Sequence, residues 1–321
     1  MGMGAKNGRT GDMAILISTL ALYGVILMAK IQGGEQTAPQ TKIILDTDIG
    51  DDIDDAYALA VLIAQKNVNL LGVTTAFGET EKRAQVAAKL LKVMGHGAVP
   101  VYAGRPNGNK IREQYAWAKD FQSRSIKKVP AIEFLRKSIE KNPGEVTIVA
   151  IGALTNLADL FTKYPEVKSK IRQIVIMGGA VYTGYNNQAP PVIEWNIRCD
   201  PPAAKMVYES GVPLTMAGLE ATTMMHFSIE HQKRLYGHGT PTTDALAALT
   251  ILWGNNVPTL FDGVAAAWAA GVHFCDSELR HVEVTPDGMT RFGEGKPNVT
   301  VLIHPQKEAF LEWNITTLEA K

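Results

Sequence analysis

Six short runs rich in β-branched and other apolar residues recur along the chain, at Lys42–Asp46, Leu70–Thr75, Val99–Tyr102, Val146–Ile151, Gln173–Met177 and Val212–Met216, with helical patterns between them. Alternation of this kind predicts an α/β fold: a mostly parallel central sheet with helices on both faces. Such a sheet binds ligands beyond the carboxyl ends of its strands. Chemistry is therefore sought in the turns that leave those strands.

The first of these turns is the most heavily charged stretch of the chain. Six of the ten residues from Asp46 to Asp55 are aspartates, in the string ILDTDIGDDIDDAYALA. Asp46 and Asp48 share a face at the strand end, because side chains alternate with period two. Asp51, Asp52, Asp54 and Asp55 occupy a helix start, where the dipole and the unpaired N–H groups favour negative charge. A dipole worth about half a charge does not offset five or six converging carboxylates, so a cation is expected among them. Oxygen ligands without nearby Cys or His select a hard ion, Ca²⁺ or Mg²⁺. An EF-hand beginning at Asp46 fails, since its sixth and twelfth positions are Asp51 and Tyr57 rather than Gly and Glu. A phosphatase of the haloacid dehalogenase type, with Asp46 as nucleophile and Asp48 as acid, stays open.

The 321 residues carry no formal net charge and no basic cluster, which argues against a nucleic-acid partner. Two cysteines, Cys199 and Cys275, are too few for a zinc site or a disulfide framework. Met13–Ala29 is apolar and uncharged, preceded by Lys6 and Arg9, and its length falls between a signal-peptide core and a short membrane span. Residues 1–40 are accordingly expected to be a cleaved export signal or an uncleaved anchor with its linker, and residues 41–321 a single domain.

The aspartate string resembles the signature of the inosine-uridine type nucleoside hydrolases, and other motifs over residues 42–305 resemble the same family. These are GVTTAFGE (72–79), PVYAGRP (100–106), IGALTN (151–156), the Glu194-Trp195-Asn196 triplet, GVPLTMAGLE (211–220) and the Phe261-Asp262 pair. The resemblance implies a Rossmann-like sheet and calcium-dependent hydrolysis of the N-glycosidic bond of a ribonucleoside, often by a homo-oligomer. It implies Asp48 as metal ligand and as the base that takes a proton from metal-bound water. Asp55, Asp262 and the Leu154 carbonyl are the further metal ligands implied. Two extra residues between Gly50 and the Asp-Asp-Ala leave Asp52 and Asp54 competing for the metal and sugar roles.

Glu194, Trp195 and Asn196 match residues that grip the ribose, and either Asn187 or Gln188 stands where the family has a further Asn. Glu79 replaces a family Asn and is a candidate sugar contact. Phe261 replaces the His that serves as leaving-group acid in pyrimidine-preferring and nonspecific members. The base is then expected to leave after stacking on Trp117, Trp195 or Phe261, with His226 a weaker acid candidate. Trp117 and Phe121, four apart, equally suit helix packing. A noncatalytic, exported nucleoside-binding protein that has lost turnover is the third reading.

Overall fold

The computed structural model describes Met1 and residues 40–319, so the Met13–Ala29 segment lies outside the described residues. Among the described residues no helix is long and apolar enough to cross a membrane.

The described residues form eleven strands: β1 (Thr41–Thr47), β2 (Val68–Thr75), β3 (Val101–Ala103), β4 (Ile126–Lys127), β5 (Val146–Ala150), β6 (Gln173–Met177), β7 (Leu214–Ala217), β8 (Asp276–Arg280), β9 (Val282–Val284), β10 (Thr290–Phe292) and β11 (Val299–Ile303). Nine make one sheet in the order β4-β3-β2-β1-β5-β6-β7-β11-β8, and β9 pairs with β10 beside it. Every pairing in the large sheet is parallel except β11 with β8. The chain is thus α/β with helices packed on both faces.

Burial on both faces follows from strand composition. In β1, Ile43 and Leu45 pack with helices Asp54–Ala64 and Thr80–Val93, while Ile44 points to the opposite layer with Leu135, Ile148 and Ile176. All three are fully buried, as a central parallel strand requires. Apolar burial of this kind contributes roughly 25 cal/mol per Å².

Strand order also places the crevice. From β1 the chain moves outward through β2 and β3 to β4, then returns to the other side of β1 with β5. The direction reverses between β1 and β5, and ligands of open parallel sheets bind beyond the strand ends at such a switch point. The Asp48–Asp55 turn leaves β1 there. Gly152 follows β5, where an added Cβ would lie 2.8 Å from Asp48 Oδ1, so glycine lets the two turns meet.

The carboxyl-terminal stretch combines strands with a final helix. β9 to β11 form, but Lys307–Glu319 is a helix that buries Phe310, Leu311, Ile315 and Leu318.

Candidate active site

Helix Asp54–Ala64 begins immediately past the switch point, and its first turn contains Asp54 and Asp55. Helix Phe261–Ala269 begins beside it with Asp262 in its first turn. Ligand oxygens of Asp54, Asp55 and Asp262 lie within 4.8 Å of one another, and all three residues are buried. Asp55 Oδ1 accepts from Thr47 Oγ1 at 2.5 Å, and Asp54 Oδ2 accepts the Asp262 N–H at 3.2 Å. Burial pushes all three carboxyls well above the ordinary range. The next cause is Asp52 for Asp54, Asp48 for Asp55, and Asp54 for Asp262. Asp48 is likewise buried and pushed up to about 6, chiefly by burial against the opposing pull of Arg83.

A cation in the cluster would return these groups to their charged forms. The donors are all carboxylate oxygens, which suits a hard divalent ion. The residues present can therefore hold a metal.

Arg83, fully buried, fixes the turn rather than neutralising the cluster. Its Nε donates to the Phe77 carbonyl at 2.6 Å, its Nη1 to the Asp48 and Ile49 carbonyls, and its Nη2 to Asp51 Oδ2 at 2.7 Å. Gln114 Nε2 donates to the Asp51 and Asp52 carbonyls at 3.1 and 2.8 Å. Asp52 is exposed, accepts from the Ile53 N–H, and stands apart from the three-carboxylate cluster. Of the two residues competing for the metal and sugar roles, Asp54 is the one inside the cluster.

A cavity of about 290 Å³ opens above the carboxylates, lined by Asp48, Asp51, Asp52, Asp54, Asp55, Arg112, Ile151, Met177, Tyr185, Glu194, Trp195, Asn196, Phe261 and Asp262. Glu194 caps helix Trp195–Cys199. Its Oε1 accepts from Asn196 N–H at 2.9 Å, and its Oε2 from Gly179 and Ile197 N–H at 3.0 and 3.1 Å. Burial raises this carboxyl to about 7 in spite of those donors. Asn196 Nδ2 donates to the Ile151 and Met177 carbonyls, both at 3.0 Å, which aims the rest of its amide from a fixed base.

Aromatic rings form the other wall. Tyr185 and Phe261 meet edge to face at 6.2 Å, and Trp195 meets Phe77 at 6.3 Å. The Tyr185 hydroxyl accepts from Trp195 N–H at 2.8 Å and so ties the 180–194 loop to the acidic side of the cavity. Trp195 remains 43% exposed.

Several residues expected at the site lie elsewhere. Leu154 does not line the cavity, and its carbonyl accepts from Ala158 N–H inside helix Thr155–Lys163. Ile151, directly after β5, lines the cavity, and its carbonyl accepts from Asn196 Nδ2. Glu79 is turned to the 108–112 loop, where it accepts from Lys82, Lys110 and the Ile111 N–H and is held down to about 2, chiefly by Lys82.

Asn187 and Gln188 are exposed in a turn closed by hydrogen bonds with Gly184 and Asn186. Trp117 packs on helix Thr80–Val93 with Lys89 over its ring at 4.3 Å, and His226 pairs with Thr259. Asp46 is 1% exposed and outside the cavity, its Oδ1 held by Thr74 and Asn156 at 2.5 and 2.7 Å. A carboxylate so enclosed does not suit the nucleophile of the phosphatase reading.

A switch-point cavity with buried carboxylates and aromatic rings among its lining residues suits a small ligand that is part polyol and part planar ring. Residues 43–312 match the family model of the inosine-uridine preferring nucleoside hydrolases. The chain belongs to that family and is an enzyme of the nucleoside hydrolase class. It is 29% identical over 304 residues to the pyrimidine-specific ribonucleoside hydrolase RihA of Shigella boydii, with 84% of this chain and 96% of the relative covered.

Solved structures with the same architecture include the plant nucleoside hydrolase PpNRh1, with TM-score 0.80, 24% identity, and coverage of 88% of this chain and 100% of that one. A purine-preferring ribonucleoside hydrolase from Gardnerella vaginalis gives TM-score 0.76 and 25% identity, covering 87% and 98%.

Proposed function

We propose that the chain cleaves ribonucleosides into ribose and free base at the switch-point cavity with one calcium ion, held by Asp48, Asp54, Asp55, Asp262 and the Ile151 carbonyl. The observation that carries this reading is the buried Asp54–Asp55–Asp262 cluster facing an aromatic wall within one cavity. When bound, calcium supplies positive charge that orients vicinal hydroxyls and acidifies nearby water.

Asp48 is the general base. Its carboxylate lines the cavity and is positioned by the grip of Arg83 on its main-chain carbonyl. Water attacks the anomeric carbon, its proton passes to Asp48, and the electron pair of the breaking C–N bond goes to the base nitrogen. The sugar passes through an oxocarbenium-like state, which the surrounding carboxylates favour. Asn196 and Glu194 face the ribose hydroxyls, while Phe261, Trp195 and Tyr185 flank the base. Export directed by Met13–Ala29, assembly as a homo-oligomer and a role in nucleoside salvage complete the reading.

The test is release of free ribose from inosine, adenosine, uridine and cytidine by the purified full chain, with and without a calcium chelator, beside Asp48→Ala. Chelator-sensitive release that the variant lacks is expected. Absence of release from all four would overturn the reading.

A further inference from the structure

The cavity presents an electrostatic difficulty for the reaction proposed for it. As the glycosidic bond breaks, the departing base gains negative charge, and the cavity is lined by seven acidic side chains. Developing negative charge in such surroundings is strongly disfavoured unless a donor or cation faces it. The residue before Asp262 is Phe261, which offers no proton.

Few lining groups can meet that charge. The Asn196 amide hydrogens are committed to the Ile151 and Met177 carbonyls. Tyr185 is a poor acid, since burial raises its hydroxyl further above the ordinary range. Among the described residues the cation lining the cavity is Arg112.

Arg112 is exposed at the rim, on a backbone that is firmly held. Its N–H donates to Asp51 Oδ1 at 2.8 Å, and the preceding Ile111 N–H donates to Glu79 Oε2 at 3.2 Å. Gln114, two residues on, is fully buried and grips the Asp51 and Asp52 carbonyls. An added Cβ on Gly50, whose φ is +119°, would meet Ile111 Cδ1 at 2.5 Å, so the two segments are packed without spare room. The loop is fastened along its length, Arg112 lines the cavity, and its charge acts on Asp52 beside it.

We infer that Arg112 assists departure of the base by donating hydrogen bonds from its guanidinium to the ring as negative charge develops there. This rests on the nucleoside hydrolase reading above. Arginine keeps its proton at any working pH, so it stabilises charge without transferring a proton. The C–N electron pair stays on the base, and solvent supplies the proton that neutralises it after release.

Leaving-group chemistry separates this role from a structural one. Rates are measured for the purified full chain and its R112Q and R112K forms on inosine, uridine and 4-nitrophenyl β-D-ribofuranoside, whose nitrophenolate departs without help. For R112Q, kcat/KM is expected to fall about 100-fold on both nucleosides, as for loss of one donor to a developing anion, and to change less than about threefold on the nitrophenyl riboside. R112K is expected to recover part of the nucleoside rate.

Equal loss by R112Q on all three substrates, or no loss on any, would overturn the inference. A wild-type chain that splits the nitrophenyl riboside but neither nucleoside overturns it too while leaving a glycosidase. Splitting of none of the three overturns the nucleoside hydrolase reading itself.

Discussion

Asp262 donates its main-chain N–H to Asp54 Oδ2 at 3.2 Å across 208 positions of sequence. Each residue lies in the first turn of its own helix, so two positive helix ends converge on one cluster of carboxylates. Each end is worth about half a charge, which leaves three buried carboxylates undercompensated. The cluster is poised for a cation and is costly without one.

Asp262→Asn relieves that cost and removes a ligand together. In chelator, the variant is expected to melt no lower than the wild type. Calcium at a hundred times its Kd should stabilise the wild type by about 2.7 kcal/mol and the variant far less. Differential scanning calorimetry with and without the ion checks both statements. Equal stabilisation of the two proteins would remove Asp262 from the ligand set.

Arg83 carries the opposite dependence. Its replacement by Met removes the donor to the Phe77, Asp48 and Ile49 carbonyls and leaves Asp51 with the Arg112 N–H alone. A loss of about 3–5 kcal/mol is expected, as for breaking a buried ion pair. Urea denaturation measures it. A loss below about 1 kcal/mol, the scale of an ordinary surface pair, would show that the turn holds without Arg83.

Glu220 makes stability depend on pH. It is buried, accepts the Val181 and Tyr182 N–H groups at 3.2 and 3.5 Å, and is pushed up to about 7 by burial. An acid whose folded value is raised binds more protons folded than unfolded, so its contribution is full below about 4.5 and is lost as pH rises through about 7. At about 1.4 kcal/mol per unit, the drop is on the order of a few kcal/mol. Glu220→Gln should flatten that part of the profile between pH 5 and pH 8 in denaturant titrations. An unchanged slope would assign the dependence to other groups.

Trp195 is half open to solvent and carries little of the core, so Trp195→Ala should leave the melting temperature nearly unchanged. Loss of a ring on which a base stacks costs about 1–3 kcal/mol, which predicts a rise in KM of roughly tenfold or more. Steady-state kinetics on one purine and one pyrimidine nucleoside decide it. An unchanged KM on both would take the ring out of the binding site.

The parallel core was legible because β1, β5 and β6 are buried on both faces and read as continuous apolar runs. The edge strand β8 was not, since Asp276–Arg280 is solvated on both sides and carries no alternation. Helix Lys307–Glu319 was hidden by its many polar residues between the buried ones. In the cavity, the acidic turn was visible from its own density of carboxylates, whereas Glu194–Asn196, Phe261 and Asp262 were visible through their resemblance to the family's motifs.

Ile151, Arg112, Met177 and Tyr185 reach the cavity through the path of their loops, which composition does not record. Ile151 had one signal: it stands between β5 and the glycine that must pass Asp48. Glu79, Asn187 and Gln188 misled for a related reason. A polar residue near a strand end can satisfy its hydrogen bonds within its own loop as readily as at the cavity.

Asp54 and Asp55 leave the ribosome long before Asp262 joins them, and the cluster that all three form requires the helix starting at Phe261 to be docked. A nascent chain, or one truncated ahead of that helix, has the conspicuous aspartate turn and lacks the partner that completes it. The three-carboxylate cluster is therefore expected to be complete only once residues 261–269 have been delivered and docked.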